Sequence, residues 1–410
     1  MRPVSQLLFI FLAAFAVRAA IYFSFPDYGT IPPREMERVS RCWAEAGEFC
    51  NPYATPTGPT AHVAPVYPVI LGSLYRIFGA YSPHAMLAQA ILSWTLCALR
   101  CALLLPLAVA LRLPRNIGMI AAILSIFFIS AFHTELRGAW DAPLIALCMM
   151  GLVWFASGFS GASSFNLAAA PFRGLAIGLA LLINPALLPV IAGYCLLAAY
   201  AYWPGLRRYA AWLLLVAAGT LVVLTPWALR NLRALGSPIL FRSNFGLELA
   251  LSFSVDGAAS VLDPEGLRND PAIDAGLSNQ VAEMGEVAFN RQQKKEAWDR
   301  IRNDPQKAAH IVAAHIVYFW FPPASNRIFR LLLAGLTVAA FLGMAILWRQ
   351  SVKAAILILA IWVTFPLIYY IAAWSSRYRY PMEWTMLLCA AAVLDFPWRY
   401  FQARVSGETR

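Results

Sequence analysis

Two glutamates, Glu35 and Glu37, stand in an acidic, tyrosine-rich segment that directly follows the first hydrophobic stretch of the chain. They are two residues apart, so on a helix they point to different faces and do not form a paired acid–base site. One can point into a helix bundle while the other meets solvent. A single carboxylate beside a membrane cavity can deprotonate a hydroxyl group. Each glutamate is therefore a candidate general base; the alternatives are solvation and, for Glu37, a weak surface pair with Arg41.

Two further acidic candidates, Glu135 and Asp141, lie at the outer end of a later hydrophobic stretch. Asp141 begins an apolar run, where the positive end of a helix dipole favours a negative charge. That structural role competes with a functional one, in which Asp141 orients a substrate or a basic side chain.

Arginines in the segments predicted to lie outside the membrane are candidates for binding an anion. Arg230 and Arg242 follow one hydrophobic stretch, and Arg377 and Arg379 alternate with tyrosines before the last one. Guanidinium groups bind phosphate bidentately, and a lipid-linked phosphate lies at headgroup depth. The alternative is ordinary interfacial anchoring by arginine, tyrosine and tryptophan.

The five histidines do not form a metal-binding pattern. His310 and His315 are five residues apart, a poor spacing for one helix face, and His62, His84 and His133 are isolated. The chain has no HExxH motif, CxxC pair or phosphate-binding loop of the Walker type. The sequence therefore requires no cofactor or metal, although a divalent cation can share the role of the arginines.

The composition is that of a membrane protein. Of 410 residues 60% are hydrophobic and 13% charged, with a mean hydropathy of +0.62, whereas soluble domains have about a quarter of charged residues. A membrane-spanning helix needs about 20 apolar residues. The sequence predicts an all-α polytopic protein of about ten transmembrane helices, near residues 4–25, 84–111, 117–132, 140–159, 172–187, 188–203, 209–227, 328–347, 352–373 and 381–396. The fifth and sixth meet at Asn184-Pro185 and can form one bent pair.

Basic residues in the short loops indicate the orientation. Those of the predicted cytoplasmic side are Arg2, Arg112, Arg115, Arg173, Arg207, Arg208, Arg349, Lys353, Arg399 and Arg404. Both termini are then cytoplasmic, and the first loop and the stretch 228–327 are extracytoplasmic. The net charge of +11 is mostly this topological signal, so we expect a multi-pass cell-membrane protein that contacts membrane lipid and binds no nucleic acid.

The predicted organisation has four parts. A transmembrane core over residues 1–227 contains the first outer loop, 26–82; an extracytoplasmic loop and small helical cap span 228–326; C-terminal transmembrane helices span 327–398; and a cytoplasmic tail spans 399–410. In the first loop, 34–48 predicts a short helix parallel to the membrane. In the cap, 279–302 predicts a solvated helix of alternating charge, and 307–321 a helix along the membrane surface.

Two of the seven cysteines, Cys42 and Cys50, fall in the first outer loop. The predicted compartment is oxidising, so they can form a disulfide. Two free thiols are equally consistent with the sequence, because it does not give the Cα separation that a bond needs.

Four segments carry a resemblance to a known family. They are Glu35-Met36-Glu37-Arg38-Val39 with Gly47-Glu48-Phe49-Cys50-Asn51-Pro52; Thr57-Gly58-Pro59-Thr60-Ala61 with Pro65-Val66-Tyr67-Pro68; Pro226-Trp227 with Arg230-Asn231 and Asn244-Phe245-Gly246-Leu247; and Arg377-Tyr378-Arg379-Tyr380-Pro381. Their order and spacing resemble those of the polytopic C-type glycosyltransferases, which use polyprenyl-phosphate sugars. The chain is similar over most of its length to dolichyl-phosphate-mannose protein mannosyltransferases and to the aminoarabinose transferase of lipid A.

The resemblance implies an active site at the outer membrane face. By that resemblance Glu35 is the catalytic base; the family often has Asp or Asp-Glu there, and this chain has Glu-Met-Glu, so Glu37 is kept as a partner or substitute.

The other predicted site residues follow from the same motifs and from chemistry. Arg377 and Arg379 are predicted to bind the donor phosphate, with Arg230 and Arg242 in reserve. Asp141 is predicted to orient the acceptor. Three residues in or beside the motifs are predicted to contact substrate: His62, Tyr67 and Tyr380.

The resulting hypothesis is an inverting transfer of a sugar from a polyprenyl-phosphate donor to a hydroxyl of an extracytoplasmic lipid, glycan or protein. Two alternatives are a lipid or polysaccharide transporter and an inactive relative that serves as an assembly subunit. A transporter is expected to have charges or broken helices near the membrane midplane, where this sequence has only Arg18, Arg100 and the Asn184-Pro185 break.

Overall fold

The computed structural model describes residues 3–25, 32–130, 133–158, 165–201, 205–254, 270–324, 326–372 and 375–405. Within these ranges the chain is helical, with one isolated antiparallel bridge between Cys50 and Pro59. The predictions for residues 26–31 of the first loop and 406–410 of the tail lie outside the described ranges.

Seventeen α-helices follow one another along the described chain. They are α1 (Pro3–Ser24), α2 (Glu35–Ala46), α3 (Val66–Phe78), α4 (Pro83–Ala110), α5 (Arg115–Phe127), α6 (Ala142–Ser157), α7 (Ala170–Ile183), α8 (Leu188–Ala201), α9 (Leu206–Leu235), α10 (Phe245–Ser252), α11 (Ala275–Met284), α12 (Glu286–Asn303), α13 (Pro305–Trp320), α14 (Arg327–Gln350), α15 (Val352–Thr364), α16 (Leu367–Ile371) and α17 (Glu383–Val405). A π-helical turn spans His133–Arg137, and short 3₁₀ turns span Pro185–Leu187, Ser376–Tyr378 and Tyr380–Met382.

Five of the described helical segments are long and apolar enough to cross a membrane: Val4–Ser24, Pro83–Ala110, Leu206–Leu235, Arg327–Gln350 and Val352–Ile371. Each matches a predicted span. Helices α5 to α8 also match predicted spans but have 13 to 16 residues, about 20–24 Å of helix against a hydrocarbon core of about 30 Å. The last predicted span falls within α17. The count of ten spans therefore stays a prediction.

The helix that contains the seventh predicted span extends beyond the predicted end of that span. Helix α9 continues through Pro226 to Leu235, so Arg230 and Asn231 lie on its last turns instead of in a loop. The predicted domain boundary after residue 227 falls inside this helix. A proline within a membrane helix is tolerated where neighbouring groups satisfy the freed backbone, so it did not mark a helix end here.

The first outer loop begins with the predicted helix. Helix α2 starts after Pro32-Pro33 and ends before Gly47. Its amphipathic pattern predicts this, because Met36 and Val39 share one face and both are buried. A disulfide joins Cys42, on this helix, to Cys50, with the Cα atoms 5.7 Å apart. Helix α2 also packs closely on α3, and together they fix the position of the two glutamates at the start of α2.

In the cap, the part of the chain predicted as one helix over 279–302 forms two helices, α11 and α12. The backbone of Gly285 has a φ of +81°, a left-handed conformation that glycine adopts without strain, and it separates α11 from α12. Helix α12 packs against α10 so closely that a Cβ on Gly246 would lie 1.9 Å from the Asn290 carbonyl oxygen. Asn290 Oδ1 also accepts a hydrogen bond from the Leu247 amide at 3.1 Å. This contact holds the cap helix over the loop that follows α9.

Candidate functional site

Glu37 is fully buried and tied into the bundle. Arg137 Nη2 lies 2.9 Å from each of its carboxylate oxygens, Gln89 Nε2 donates at 3.0 Å, and the Arg34 amide donates at 2.9 Å. A carboxylate with these charge-assisted partners is already fully hydrogen-bonded. The structure therefore gives Glu37 a structural role, and it pairs with Arg137 rather than with Arg41.

Glu35 has a different environment on the other side of α2. Its side chain is partly buried, and its Oε2 is shielded from solvent without a hydrogen-bond partner among the described residues. Buried polar atoms normally have a partner. A carboxylate oxygen left without one has free capacity to accept a proton from a bound hydroxyl. The predicted separation of the two glutamates onto different faces is confirmed.

Arg377 is held by aromatic side chains instead of carboxylates. Its guanidinium carbon lies 3.5 Å from the centre of the Trp140 ring and 5.1 Å from that of Tyr378. Its Nη2 donates to the Tyr378 hydroxyl at 3.4 Å. Among the described residues it forms no ion pair, so most of its five N–H donors stay available for an anion.

Arg377 nevertheless lies in the electrostatic field of nearby acids. Burial lowers its pKa, but Tyr378, Glu35 and Glu248 together raise it above the usual arginine value. No direct ion pair joins Glu35 to Arg377 within the described structure. The two opposite charges are thus close enough to influence each other without neutralising each other by contact.

Two further acids, Glu248 and Asp270, which the sequence did not single out, lie close enough to interact electrostatically with Arg377. Burial raises the pKa of Glu248, against the opposing effect of Arg242 and Arg377. Burial, followed by the charge of Glu35, raises the pKa of Asp270 to about 7. We call Glu35, Glu248, Asp270, Arg242 and Arg377 the charged cluster. Asp270 caps its own turn by accepting from the Ala272 amide at 2.8 Å, and from sequence it resembles an ordinary turn aspartate.

Arg242 and His62 meet at the edge of the charged cluster. Arg242 Nε donates to the His62 carbonyl oxygen at 2.9 Å. Burial, with the charges of Arg242 and Arg377, lowers the pKa of His62 to about 3, so its imidazole is neutral at physiological pH. The Tyr53 hydroxyl lies 3.0 Å from His62 Nδ1. The structure thus brings His62 to the cluster as a buried neutral ring.

Arg379 lies in a separate contact set, although it is only two residues from Arg377. Its Nε donates to Glu383 Oε1 at 2.9 Å, and its Nη1 donates to Thr337 Oγ1 at 3.1 Å and to the Trp320 carbonyl at 3.0 Å. Its side chain is 1% exposed. The structure does not bring Arg379 to the charged cluster; it links α13, α14 and α17.

Arg230 joins α9 to the first loop. Its Nη1 donates to the Thr60 carbonyl and its Nη2 to the Phe49 carbonyl, both at 2.7 Å. The rings of Phe49 and Trp227 each lie 5.3 Å from its guanidinium carbon. These contacts occupy the side chain, so the structure assigns it to positioning the loop.

Asp141 directly precedes α6 and is buried. Its Oδ2 accepts a hydrogen bond at 3.0 Å from Asn184 Nδ2, at the predicted helix break. Arg242 and Arg377 lie near enough to act on it electrostatically. Asp141 therefore borders the charged cluster and also stabilises the break between α7 and α8.

The two predicted substrate-binding tyrosines are buried within the bundle. The Tyr67 hydroxyl donates to the Gly138 carbonyl at 2.7 Å. The Tyr380 hydroxyl lies 3.3 Å from Cys97 Sγ, and the Arg100 guanidinium lies 4.7 Å from the centre of its ring. Neither hydroxyl is directed into the charged cluster, and their predicted contact with substrate is not supported by these partners.

Glu286 has a positioning role that the sequence did not indicate. The sequence analysis places it on a solvated helix, but it is only 3% exposed. Its carboxylate accepts hydrogen bonds from the Ala61 amide at 2.8 Å, from Ser243 Oγ at 2.6 Å and from Thr60 Oγ1. Glu286 thereby joins the cap helix to the characteristic Thr57–Pro68 stretch. The break at Gly285 is the one sequence signal that could have separated it from the solvated face.

Glu135 forms a buried ion cluster with Arg18 and Arg100. Arg18 Nη2 lies 2.6 Å and Arg100 Nη2 2.9 Å from its carboxylate oxygens. Arg18 also donates to the Ala14 carbonyl at 3.0 Å. The two membrane-embedded arginines are therefore paired in the bundle, as buried charges must be.

Within the described part of the chain, no group of three or more His, Cys, Asp or Glu side chains is arranged to hold a metal ion. The three acids of the charged cluster thus interact through space without forming a coordination site.

Comparison with known proteins gives a weak structural similarity. No protein-family model matches the chain, and no curated protein matches it. A crystal structure of ArnT from Cupriavidus metallidurans bound to undecaprenyl phosphate is similar with a TM-score of 0.33 and 16% sequence identity. The match covers 93% of this chain and 77% of that one. At this level of similarity the comparison carries no argument about function.

Proposed function

We propose that this protein transfers a sugar from a polyprenyl-phosphate donor to a hydroxyl of an extracytoplasmic acceptor, with inversion at the anomeric carbon. The observation that carries the proposal is the electrostatic proximity of Glu35, which has a buried carboxylate oxygen without a partner among the described residues, to Arg377, which keeps guanidinium donors free. The motif resemblance described above supports the same reaction class.

Glu35 supplies the general base in this reaction. Its carboxylate takes the proton of the acceptor hydroxyl as that oxygen forms a bond to the anomeric carbon. Glu37 is a poor alternative because Arg137, Gln89 and the Arg34 amide occupy its oxygens.

Arg377 binds the donor phosphate. The bond between the anomeric carbon and the phosphate oxygen breaks, and the polyprenyl phosphate leaves with the electron pair. Phosphate is a good leaving group, so the step needs positive charge at the phosphate and no general acid. Trp140 and Tyr378 orient the guanidinium through its faces, which leaves its edge for phosphate oxygens. Arg242, which also belongs to the charged cluster, is the second candidate for this contact.

The transporter hypothesis draws on Arg18, Arg100 and the break at Asn184. Both arginines form ion pairs with Glu135, and Asn184 donates a hydrogen bond to Asp141. Each of these features has a local structural partner, so none of them requires a transport pathway.

The test is sugar transfer by the purified full-length protein in nanodiscs, using a panel of undecaprenyl-phosphate sugars, with wild type and Glu35→Gln compared. We expect wild type to transfer at least one sugar and Glu35→Gln to lose about 10²–10⁴-fold in rate. Donor binding is measured separately on both proteins and is expected to be similar.

Full transfer by Glu35→Gln would overturn the base assignment. Movement of the carrier across the bilayer by wild type, without sugar transfer and unchanged in Glu35→Gln, would favour the transporter hypothesis instead.

A further inference from the structure

The exposed face of the cap helix α12 forms a basic groove. Arg291, Lys294, Lys295 and Arg302 project from this face with Trp298, and they line a surface cavity of about 410 Å³. Their spacing of three, four and seven residues places them on one side of the helix. All of them are exposed, and the Trp298 ring is 44% exposed. Asp299 is the one acid in the described part of the chain that lines this cavity.

A second cavity continues the groove toward the charged cluster. It has a volume of about 300 Å³ and shares Arg291 and Lys294 with the first. Arg242 also lines this second cavity; it belongs to the charged cluster and donates to the His62 carbonyl. Lys294 Nζ also lies 5.9 Å from the centre of the Phe245 ring at this junction. The basic groove therefore extends as far as Arg242, one residue of the charged cluster.

The charge of the groove selects its ligand. Among the described residues, five cations and one acid line the two cavities together, an arrangement that attracts anions and focuses them toward the cluster. From Arg291 to Arg302 the helix rises about 16 Å, the length of several sugar or phosphate units. An exposed tryptophan gives a flat apolar surface for the face of a sugar ring.

We propose that the basic groove binds the acceptor of the transfer reaction, and that this acceptor is a phosphorylated glycan chain with several negative groups. The identification of this ligand as the acceptor rests on the proposed function. The binding of a polyanion by the groove does not. The contact with Arg242 favours a substrate over a bilayer headgroup, because a headgroup would not need a groove that reaches an arginine of the charged cluster.

The test measures binding of a fluorescent hexamer of poly(glycerol phosphate) to the full-length protein in phosphatidylcholine nanodiscs. The variant Lys295→Gln/Arg302→Gln removes two charges from the groove. Its matched control, Arg300→Gln/Arg327→Gln, removes two exposed cations outside it: Arg300 pairs with Glu296 on the same helix, and Arg327 begins α14. We expect the groove variant to weaken binding about fivefold or more and the control to have little effect.

A third variant guards against loss of binding through misfolding. Asp299→Asn removes the acid from the groove and is expected to strengthen binding of the same probe severalfold, with all binding weaker at high salt. Neutral maltohexaose is expected not to compete.

Three outcomes would overturn the proposal. The groove variant and its control could weaken probe binding equally, or Asp299→Asn could fail to strengthen it. The third is displacement of the probe from the protein when phosphatidylglycerol is added to the nanodiscs. The last would show that the groove faces anionic headgroups. If the probe binds in the expected pattern but the protein transfers no sugar, the groove remains an anion-binding site and the proposed function is wrong. The binding proposal and the proposed function can therefore fail separately.

Discussion

Arg137 Nη2 lies 2.9 Å from both carboxylate oxygens of Glu37, although the two residues are 100 positions apart in the chain. Both side chains are almost completely buried. This ion pair connects the first outer loop to the π-helical turn before α6, and it separates the roles of the two neighbouring glutamates: Glu37 stabilises the loop, and Glu35 is left for chemistry.

The first prediction concerns this division of roles. Glu37→Gln leaves Arg137 buried without its counter-charge and is expected to destabilise the protein by on the order of 3 kcal/mol. The Glu35 Oε2 atom has no hydrogen-bond partner among the described residues. Glu35→Gln is therefore expected to leave the melting temperature nearly unchanged, although sugar transfer is lost. Thermal unfolding of both variants in the same detergent checks this. A larger loss of stability in Glu35→Gln would reverse the assignment.

The second prediction separates two arginines of one motif. Arg377→Ala is expected to raise the KM for the polyprenyl-phosphate sugar by about tenfold to a hundredfold, since a charge-assisted hydrogen bond contributes about 1.5–3 kcal/mol. Arg377→Lys should raise the KM less than Arg377→Ala does, unless the planar geometry of the guanidinium matters more than its charge.

Arg379→Ala is the comparison for that experiment. It leaves Glu383 buried without its partner, so we expect a lower melting temperature and, for the fraction that remains folded, a nearly normal KM. If Arg379→Ala raised KM without loss of stability, the phosphate site would have to include Arg379.

The third prediction is a pH dependence of stability that depends on Asp270. Burial and the charge of Glu35 raise its pKa from 3.8 to about 7 in the folded protein. Between about pH 4 and 7 the folded state therefore holds a proton that the unfolded state has released, and stability falls as pH rises through this range. Asp270→Asn removes this pH dependence of stability.

Melting temperatures of wild type and Asp270→Asn between pH 4 and 8 check the third prediction. The stability advantage of Asp270→Asn should grow up to about pH 7 and then level off. Parallel curves for the two proteins would mean that Asp270 titrates normally. Glu35→Gln should shift the wild-type transition toward lower pH, because it removes the neighbouring negative charge.

The sequence predicted local structure where the pattern alone decides it. Helix α2 was predictable because its apolar face and its flanking Pro32-Pro33 and Gly47 act within the segment itself. The assignment of Glu35 and Glu37 to different faces followed from the helical period. The five longest apolar helices followed from their length.

The partners of the arginines were not predictable in this way. Arg377 and Arg379 have the same chemistry and nearly the same position in the sequence. Their roles separate only because a 3₁₀ turn directs one toward Trp140 and the other toward Glu383. The end of α9 was missed for a related reason: Arg230 is satisfied by loop carbonyls, so its charge does not end the helix.

Glu286 provides the last prediction. Its carboxylate holds Thr60 and the Ala61 amide, more than 220 residues earlier in the chain, and this distance is why the sequence suggested only a solvated side chain. Glu286→Ala removes these hydrogen bonds and is expected to lower the transfer rate by loosening the loop that carries His62, while Glu35 keeps its chemistry. Hydrogen–deuterium exchange of residues 58–64 should increase. Glu283→Ala, which removes an exposed acid near the end of α11, is the control and should change neither the transfer rate nor the exchange rate. An unchanged exchange rate with a reduced transfer rate would instead place Glu286 in contact with substrate, because the loop would then be intact and the loss would have to arise at the reacting groups.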